Sequence, residues 1–182
     1  FTTVDVADDS VDMSQATGIK TISLSGSNTN GDTVFTNVGA IVNAEMLSGQ
    51  GDLTITNTAA AVVGTADVAS LTLSGQTVST FTEAGAAGGL ETLNVASNGA
   101  TNDVDITSTN NSLKTVNISG ASKLTTTVGS TALATVNAAD MTGVLALTTN
   151  VTGDLTVTGG SANDTFTFAG TTYTNADVID GG

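Results

Sequence analysis

Leu90-Glu91-Thr92-Leu93-Asn94-Val95 is a phrase that returns twice along the chain, as Leu113-Lys114-Thr115-Val116-Asn117-Ile118 and as Leu133-Ala134-Thr135-Val136-Asn137-Ala138. Successive leading leucines are 23 and 20 residues apart. The period is therefore about 21 residues. A repeat of this length is typical of solenoid proteins, in which each copy forms one coil of a stack. Related phrases extend the series in both directions: Ile19-Lys20-Thr21-Ile22-Ser23-Leu24, Leu71-Thr72-Leu73-Ser74 and Leu155-Thr156-Val157-Thr158.

A second apolar series falls between these phrases. Gly, Asn, Ser and Asp residues separate the two series, as in Asn110-Asn111-Ser112, and such residues mark turns. Each period therefore carries two short strands. The predicted fold is all-β: a flattened, right-handed parallel β-helix, or β-solenoid, with about 21 residues per turn and about eight or nine turns. The second series consists of Val104-Asp105-Ile106, Leu124, Val144-Leu145-Ala146-Leu147 and Thr165-Phe166-Thr167-Phe168.

We expect one β-solenoid domain over residues 1–182, as a segment of a longer chain. Residues 89–182 carry the regular repeats, whereas residues 1–88 are less regular because Ala59–Val63 and Ala84–Gly89 interrupt the rhythm. A leucine-rich-repeat-like solenoid is the alternative fold, since the phrase places apolar residues at positions 1, 4 and 6, as L-x-x-L-x-L does. It ranks second because the strand in the middle of each period favours two sheets.

Composition excludes most common catalytic and metal-binding chemistry. The 182 residues include no His, Cys, Pro or Trp, so no Ser-His-Asp relay, Cys nucleophile, disulfide or His/Cys metal site can form. The formal net charge of −14 repels nucleic-acid phosphates and anionic lipid surfaces. The longest apolar run, Ala59–Val63, is far too short to cross a bilayer. We therefore expect no enzyme activity within this segment, no nucleic-acid partner and no membrane insertion.

The segment Gly159-Gly160-Ser161-Ala162-Asn163-Asp164-Thr165-Phe166-Thr167 resembles the RTX nonapeptide G-G-x-G-x-D-x-U-x. In that family, backbone carbonyls and an Asp carboxylate bind Ca²⁺, a cation that prefers oxygen ligands, and the apolar residue U points into a parallel β-roll. The resemblance implies that Asp164 is the carboxylate ligand, with Phe166 as the inward anchor. It also implies that Gly159, Gly160 and Ser161 form the metal-binding loop. Ala162 departs from the pattern, because the family has its third Gly there.

Asp177-Val178-Ile179-Asp180-Gly181-Gly182 resembles the lead-in to another such repeat, and Asp180 is a further candidate metal ligand. The family binds Ca²⁺ between neighbouring loops, so one nonapeptide and this partial successor imply half a site. The resemblance also implies that the solenoid ends in an RTX-like β-roll turn. Together with the L-x-T-V-N phrases and a composition rich in Thr, Ala, Gly, Asn and Ser, this C-terminal part resembles bacterial RTX-type surface-layer (S-layer) proteins and large repeat adhesins.

Other polar residues have simpler expected roles. The recurring Thr and Asn of the phrase are expected to stack as ladders along the solenoid axis. An N-terminal acidic cluster is expected to be solvated and consists of Asp5, Asp8, Asp9 and Asp12. A flat ice-facing threonine array is an alternative role for Thr54-Ile55-Thr56, Thr125-Thr126-Thr127, Thr156-Val157-Thr158 and Thr165-Phe166-Thr167, whose spacing does not follow one per turn.

The leading function hypothesis is a noncatalytic, extracellular scaffold on the bacterial cell surface. S-layer and adhesin families are exported, usually bind calcium and form lattices or attach cells, so the resemblance implies copies of the chain itself, and cell-surface polysaccharide, as partners. Calcium would bridge the carboxylates of acidic rods that otherwise repel one another. Two alternatives remain: an accessory β-roll of a type I secreted enzyme, and an ice- or carbohydrate-binding adhesin module.

Overall fold

The computed structural model describes residues 2–3, 9–85, 88–169 and 173–182, and it confirms the predicted all-β solenoid. Regular structure in these ranges consists of strands, and parallel sheets wind through about 8 turns of about 22 residues. The strands are β1 (Thr2–Thr3), β2 (Asp9–Asp12), β3 (Thr21–Ser25), β4 (Thr33–Val38), β5 (Asn43–Leu47), β6 (Leu53–Asn57), β7 (Val68–Ser74), β8 (Ser79–Gly85), β9 (Thr92–Asn98), β10 (Asn102–Ser108), β11 (Thr115–Gly120), β12 (Leu124–Gly129), β13 (Thr135–Met141), β14 (Leu145–Thr149), β15 (Thr156–Thr158), β16 (Thr165–Phe168) and β17 (Val178–Asp180).

Successive strands alternate between two parallel sheets. The odd sheet contains β1, β3 and every later odd-numbered strand in chain order, and the even sheet contains β2 through β16 in the same way. Each coil therefore contributes one strand to each sheet. This arrangement of two strand rows per turn favours the β-helix over the leucine-rich-repeat alternative.

The repeated phrase determines the register of the odd sheet. Thr115 pairs with Thr92 on one side and with Thr135 on the other. Asn117 likewise pairs with both Asn94 and Asn137. Like residues therefore lie over like residues from coil to coil, as the phrase predicts.

Two of the related phrases align differently from the prediction. Leu71 pairs with Val95, five residues from the predicted partner Leu90, because Leu71 lies inside a strand whereas Leu90 lies in the turn before β9. Leu155 also lies in a turn, and Val157 pairs with Val136, one residue away from the predicted alignment. In both places the inward-facing alternation of the strands decides the register.

The interior is a continuous apolar column enclosed by the two sheets. Inward side chains alternate with half-buried outward ones, as in β6, where Leu53 and Ile55 are buried. In the even sheet, Phe81 pairs with Leu53 on one side and with Ile106 on the other. Each fully buried Leu, Ile or Phe side chain contributes roughly 1.5–3 kcal/mol, so small residues repeated over many coils build the core.

The coils differ in length because their turns differ. The step between paired residues is 28 from Leu53 to Phe81 but 19 from Ala146 to Thr165. The interruption predicted at Ala59–Val63 is a turn between β6 and β7. In the other predicted interruption, Ala84 and Gly85 complete β8, Gly88 and Gly89 lie in a turn, and residues 86–87 are outside the described ranges.

Candidate functional site

The glycine pair of the nonapeptide forms a turn that is hydrogen-bonded to the coils on both sides. Gly159 N–H donates to the Asp180 carbonyl oxygen at 2.8 Å, in the following coil. Ser161 N–H donates to the Met141 carbonyl oxygen at 3.0 Å, in the preceding coil. Gly159 and Gly160 are buried and Ser161 is exposed. The turn therefore lies within the stack, with its outer edge open to solvent.

Close backbone approach explains why glycines occupy this turn. A Cβ atom at Gly160 would clash with the Met141 carbonyl group, and one at Gly159 would clash with the Gly181 carbonyl oxygen. The second glycine pair lies over the first, because a Cβ at Gly182 would clash with the Gly160 carbonyl oxygen and lie 2.9 Å from that of Gly159. The two glycine pairs therefore lie in direct backbone contact, with the Gly160 and Gly181 carbonyl groups each directed at a glycine of the other pair.

Asp164 closes this turn with both carboxylate oxygens. Oδ2 accepts the Gly160 N–H at 2.7 Å, and Oδ1 accepts the Leu145 N–H of the preceding coil at 2.8 Å. The side chain is half-buried. Charge-assisted bonds of this kind are about twice as strong as neutral ones, so Asp164 fixes both the turn and its position on the neighbouring coil.

Asp180, the other predicted carboxylate ligand, contributes mainly through its backbone. Its carbonyl oxygen accepts the Gly159 N–H, while Oδ1 of its exposed side chain accepts the Gly182 N–H at 3.1 Å. Phe166, the predicted inward anchor, is half-buried, packs against the core and pairs with Leu147. The structure thus brings the predicted loop, Asp164 and the Asp180 backbone together.

Sequence reasoning missed Asp177, which closes the last coil. Its carboxylate accepts the Leu155 N–H at 2.7 Å and the Thr174 N–H at 2.6 Å. Hydrogen bonds from the Thr174 backbone and then the Leu155 backbone lower the pKa of this carboxyl. The signal was available in the sequence, because Asp177 lies 22 residues after Leu155.

Several acids share this role of linking one coil to the next through a backbone N–H. Oδ1 of Asp52 accepts the Thr80 N–H at 2.6 Å, and Oδ1 of Asp105 accepts the Thr127 N–H at 2.8 Å. Burial, followed by the charges of Asp32 and Asp105, raises the pKa of Asp52. We call these residues the axial acids, and the set comprises Asp32, Asp52, Glu91, Asp105, Asp164 and Asp177.

The oxygen donors at the glycine turn are of the type that Ca²⁺ accepts. Backbone carbonyls and one carboxylate are hard ligands, and each carboxylate oxygen of Asp164 retains a lone pair beyond the N–H it accepts. Across the described ranges, no three acidic side chains come close enough to form a metal group. A calcium ion here would therefore be held by Asp164 and by the carbonyls of Gly159, Gly160 and Gly181.

The predicted asparagine ladder forms between Asn94 and Asn117 but does not continue to Asn137. Asn117 Nδ2 donates to Asn94 Oδ1 at 2.8 Å, whereas Asn137 Oδ1 accepts the Ala139 N–H of its own strand at 3.1 Å. The register of β11 and β13 shifts between Asn117 and Ser119, and the ladder stops there. A shallow cavity of about 380 Å³ lies at this shift and is lined by Asn94, Asn117, Ile118, Ser119, Asn137 and Asp140.

Outward threonine pairs lie mainly on the even sheet. Four of its strands carry a Thr-x-Thr sequence whose threonines are half-buried or exposed, and three of the four predicted segments are among them. The exception is Thr156–Thr158, which lies on the odd sheet. The four outward pairs are Thr54/Thr56, Thr80/Thr82, Thr125/Thr127 and Thr165/Thr167.

The N-terminal acids are described only in part. Asp9 and Asp12 are exposed on β2, in line with the expected solvation, while Asp5 and Asp8 lie outside the described residues. Asp12 accepts hydrogen bonds from Asn37 Nδ2 at 3.0 Å and from the Ser14 N–H at 2.9 Å. The bond from Asn37 is the main cause of the lowered pKa of Asp12.

None of the described residues forms a helix with the length and apolar character needed to span a bilayer. No protein-family model, curated protein or solved structure matches the chain.

Proposed function

We propose that this chain is a structural, self-assembling protein of the bacterial cell surface, of the S-layer type, whose folding or assembly depends on calcium. The observation that carries the proposal is the stacked pair of glycine segments, in which Asp164 closes the first glycine turn and the second glycine pair lies directly over it in an acidic solenoid. The partners are copies of the chain and cell-surface polysaccharide, and the location is extracellular.

The architecture supports a scaffold role because it is repetitive, with each coil paired to its neighbours in both sheets. Each coil contacts its neighbours through two parallel strand pairings, and stacked repeats of this kind form stiff rods. A scaffold needs no catalytic group, and the residue types present offer few.

The net charge of −14 supports the coupling to a cation. Like-charged rods repel each other, and a divalent ion held at the solenoid edge lowers this repulsion while ordering the turn. Calcium is abundant outside cells and accepts the carbonyl and carboxylate oxygens found at the glycine turn. Assembly is therefore expected outside the cell and is expected to reverse on chelation.

The test of calcium binding compares thermal unfolding in Ca²⁺ and in EGTA for the wild type, Asp164→Asn and Asp154→Asn. Asp154 is the matched control, because it is an exposed acid in the turn before β15. Saturation at about 100 times the Kd stabilises a protein by about 2.7 kcal/mol, which raises the Tm by about 5–10 °C for this size. We expect this increment in the wild type and in Asp154→Asn, but not in Asp164→Asn.

The calcium increment, and not the basal Tm, decides the outcome. Asparagine keeps an acceptor for the Leu145 N–H but offers no second acceptor to the Gly160 N–H, so Asp164→Asn lowers stability in EGTA even if no calcium binds. An equal increment in the wild type and Asp164→Asn would contradict the site. Ordered sheets or filaments that persist in EGTA, seen by electron microscopy, would contradict calcium-dependent assembly.

A second candidate function rests on the threonine pairs of the even sheet. Their outward placement on β6, β8, β12 and β16 gives the even sheet a polar, threonine-rich face that β10 and β14 interrupt, and such a face fits a repetitive ligand such as ice or a polysaccharide. Thermal hysteresis and glycan-array binding measure these activities directly. Thr82→Lys and Thr127→Lys place bulky charges on the face, and both should abolish activity if this face binds.

A further inference from the structure

One inward column of the even sheet changes from apolar to polar in the middle of the solenoid. Val11, Phe35 and Ile55 pair in turn along this column, and the next partners are Glu83 and then Ser108. Glu83 is 3% exposed. A buried charge without a partner is very costly, so the state of this carboxyl matters for the stability of the coils around it.

Glu83 faces a small cluster of hydroxyl and amide groups from the next coil. Ser108 Oγ lies 3.0 Å from Glu83 Oε2 and 3.1 Å from Asn110 Oδ1. Ser112 Oγ lies 2.8 Å from Asn110 Oδ1 and 3.1 Å from the Leu90 carbonyl oxygen. Within the described ranges, Glu83 Oε1 is fully buried and has no hydrogen-bond partner.

Oxygen atoms outnumber the hydroxyl protons in this cluster. Ser108 and Ser112 supply one hydroxyl proton each, yet their Oγ atoms make four short contacts to acceptor oxygens. One additional proton on Glu83 Oε2 reduces the shortage from two protons to one. It donates to Ser108 Oγ, which frees the Ser108 proton for Asn110 Oδ1, while the single Ser112 proton serves one of its two contacts.

The charged neighbours of Glu83 also favour the neutral form. Glu91, which precedes β9, acts on Glu83 with a charge of the same sign. Strand β6 carries no charged residue, and the two acids of β10, Asp103 and Asp105, occupy the outward positions of that strand. Asp67 bonds to Glu91 through its backbone N–H, which adds no positive charge near Glu83.

We propose that Glu83 is buried as a neutral carboxylic acid that donates a hydrogen bond to Ser108. Its ionisation at higher pH then destabilises the middle coils of the solenoid. Desolvation by burial is the main cause of the raised pKa of Glu83; the Ser108 hydroxyl and the Leu90 backbone, which favour the ionised carboxylate, oppose this effect in part. This inference is independent of calcium binding at the glycine turn.

The sign of the pH dependence follows from the raised pKa. The folded state retains the Glu83 proton over a pH range in which the unfolded chain has lost it. Stability from this group is complete below the ordinary pKa of glutamate and is lost as the pH rises through the folded pKa. Over that range the folding equilibrium constant falls about tenfold per pH unit.

The test compares wild type, Glu83→Gln and Glu45→Gln by urea unfolding from about pH 4 to about pH 9. Glutamine mimics the neutral acid in shape and in its inability to ionise, while Glu45 lies on the outer face of β5 and is the matched control. We expect Glu83→Gln to gain stability relative to wild type as the pH rises, by about tenfold per pH unit in the folding equilibrium constant. Glu45→Gln should follow the wild type.

A direct titration keeps the proposal testable if Glu83→Gln fails to fold. The side-chain carboxyl ¹³C signal of Glu83 in the wild type should titrate above the ordinary pKa of a glutamate side chain. Parallel stability curves, or a Glu83 signal that titrates at or below that ordinary pKa, would overturn the proposal. A gain in wild-type stability at high pH on adding Ca²⁺, absent in Glu83→Gln, would also overturn it, because the cluster would then bind a cation as a carboxylate.

Discussion

Gly120 offers the most direct test of coil stacking. It ends β11 with φ at +114°, a backbone conformation that L-residues with side chains rarely adopt. A Cβ atom there would clash with the carbonyl oxygen of Ser97 and lie 2.8 Å from its carbonyl carbon, in the preceding coil. We therefore expect Gly120→Ala to separate two stacked coils or to force a turn to change its conformation.

The magnitude follows from the two penalties. A left-handed conformation costs a residue with a side chain about 1–2 kcal/mol, and overpacking adds about 1–3 kcal/mol because the opposing atoms are backbone and cannot rotate away. Gly153→Ala is the matched control, since a Cβ there meets nothing within 4 Å and its φ is not positive. That change should stabilise the protein by about 0.4–1 kcal/mol through the unfolded state.

Urea unfolding followed by far-ultraviolet circular dichroism measures the difference between the two variants. We expect Gly120→Ala to be less stable than Gly153→Ala by about 2–6 kcal/mol, the sum of these penalties and the control's gain. Hydrogen exchange should place the loss in the coils that contain Ser97 and Gly120, because solenoid coils interact mainly with their neighbours. Equal stability of the two variants would refute the close approach at Ser97 and the stacking register behind it.

Two further predictions concern polar side chains. Thr126 is buried, and its Oγ1 has no hydrogen-bond partner among the described residues, so Thr126→Val should raise the free energy of unfolding by about 1 kcal/mol. Thr127 faces outward, and Thr127→Val should change this free energy little. Urea midpoints of the two variants measure the difference, and a loss of stability in Thr126→Val would contradict the prediction. Asp177 has a lowered pKa, so its contribution is present above the ordinary pKa of aspartate and is lost as the pH falls through the lowered value. The protection factor of the Leu155 amide against hydrogen exchange should therefore fall at acid pH in wild type and be low at all pH values in Asp177→Ala, and unchanged protection would count against the bond.

Strands whose apolar residues repeat with the phrase could be predicted from the sequence. Leu93, Val116 and Val136 occupy one inward column because the phrase places each of them between the same Thr and Asn. Alternation with period two then forces these side chains to the same face of the sheet. Register is therefore readable wherever two successive coils carry the phrase at the same distance from a turn.

Strands without the phrase were harder to recognise. β5 has the sequence Asn43-Ala44-Glu45-Met46-Leu47, in which Ala44 and Met46 are buried. Ala44 pairs with Leu71 of the following coil, which lies 27 residues further along the chain. Such a long step conceals the repeat from a search at a fixed period. The additional residues lie in turns, where length costs little free energy because loop closure depends only weakly on loop length.

The nonapeptide pattern located the Asp164 turn but not the two backbone hydrogen bonds that its carboxylate accepts. A motif specifies residue types, whereas the bonds to Gly160 and Leu145 depend on which coil lies below the turn. The sequence gives no indication that Glu83 is buried, because a single glutamate next to an apolar strand pattern is usually exposed. Its burial follows from a register that only the folded stack defines.

The axial acids change how the charge of the chain should be interpreted. A carboxylate that accepts a backbone N–H from a neighbouring coil stabilises the fold without any cation. Asp52 and Asp105 do so far from the nonapeptide, and Asp177 does so outside its ligand positions. Net charge alone is therefore weak support for calcium binding. Asp164 is itself an axial acid, and it differs from the others in also accepting the Gly160 N–H of its own glycine turn. A calcium increment that depends on Asp164 but not on exposed Asp154 would therefore distinguish cation binding at this turn from the axial bonding that the other acids share. The comparison of Asp164→Asn with Asp154→Asn thus separates a calcium-dependent surface scaffold from an acidic rod held together by its own backbone.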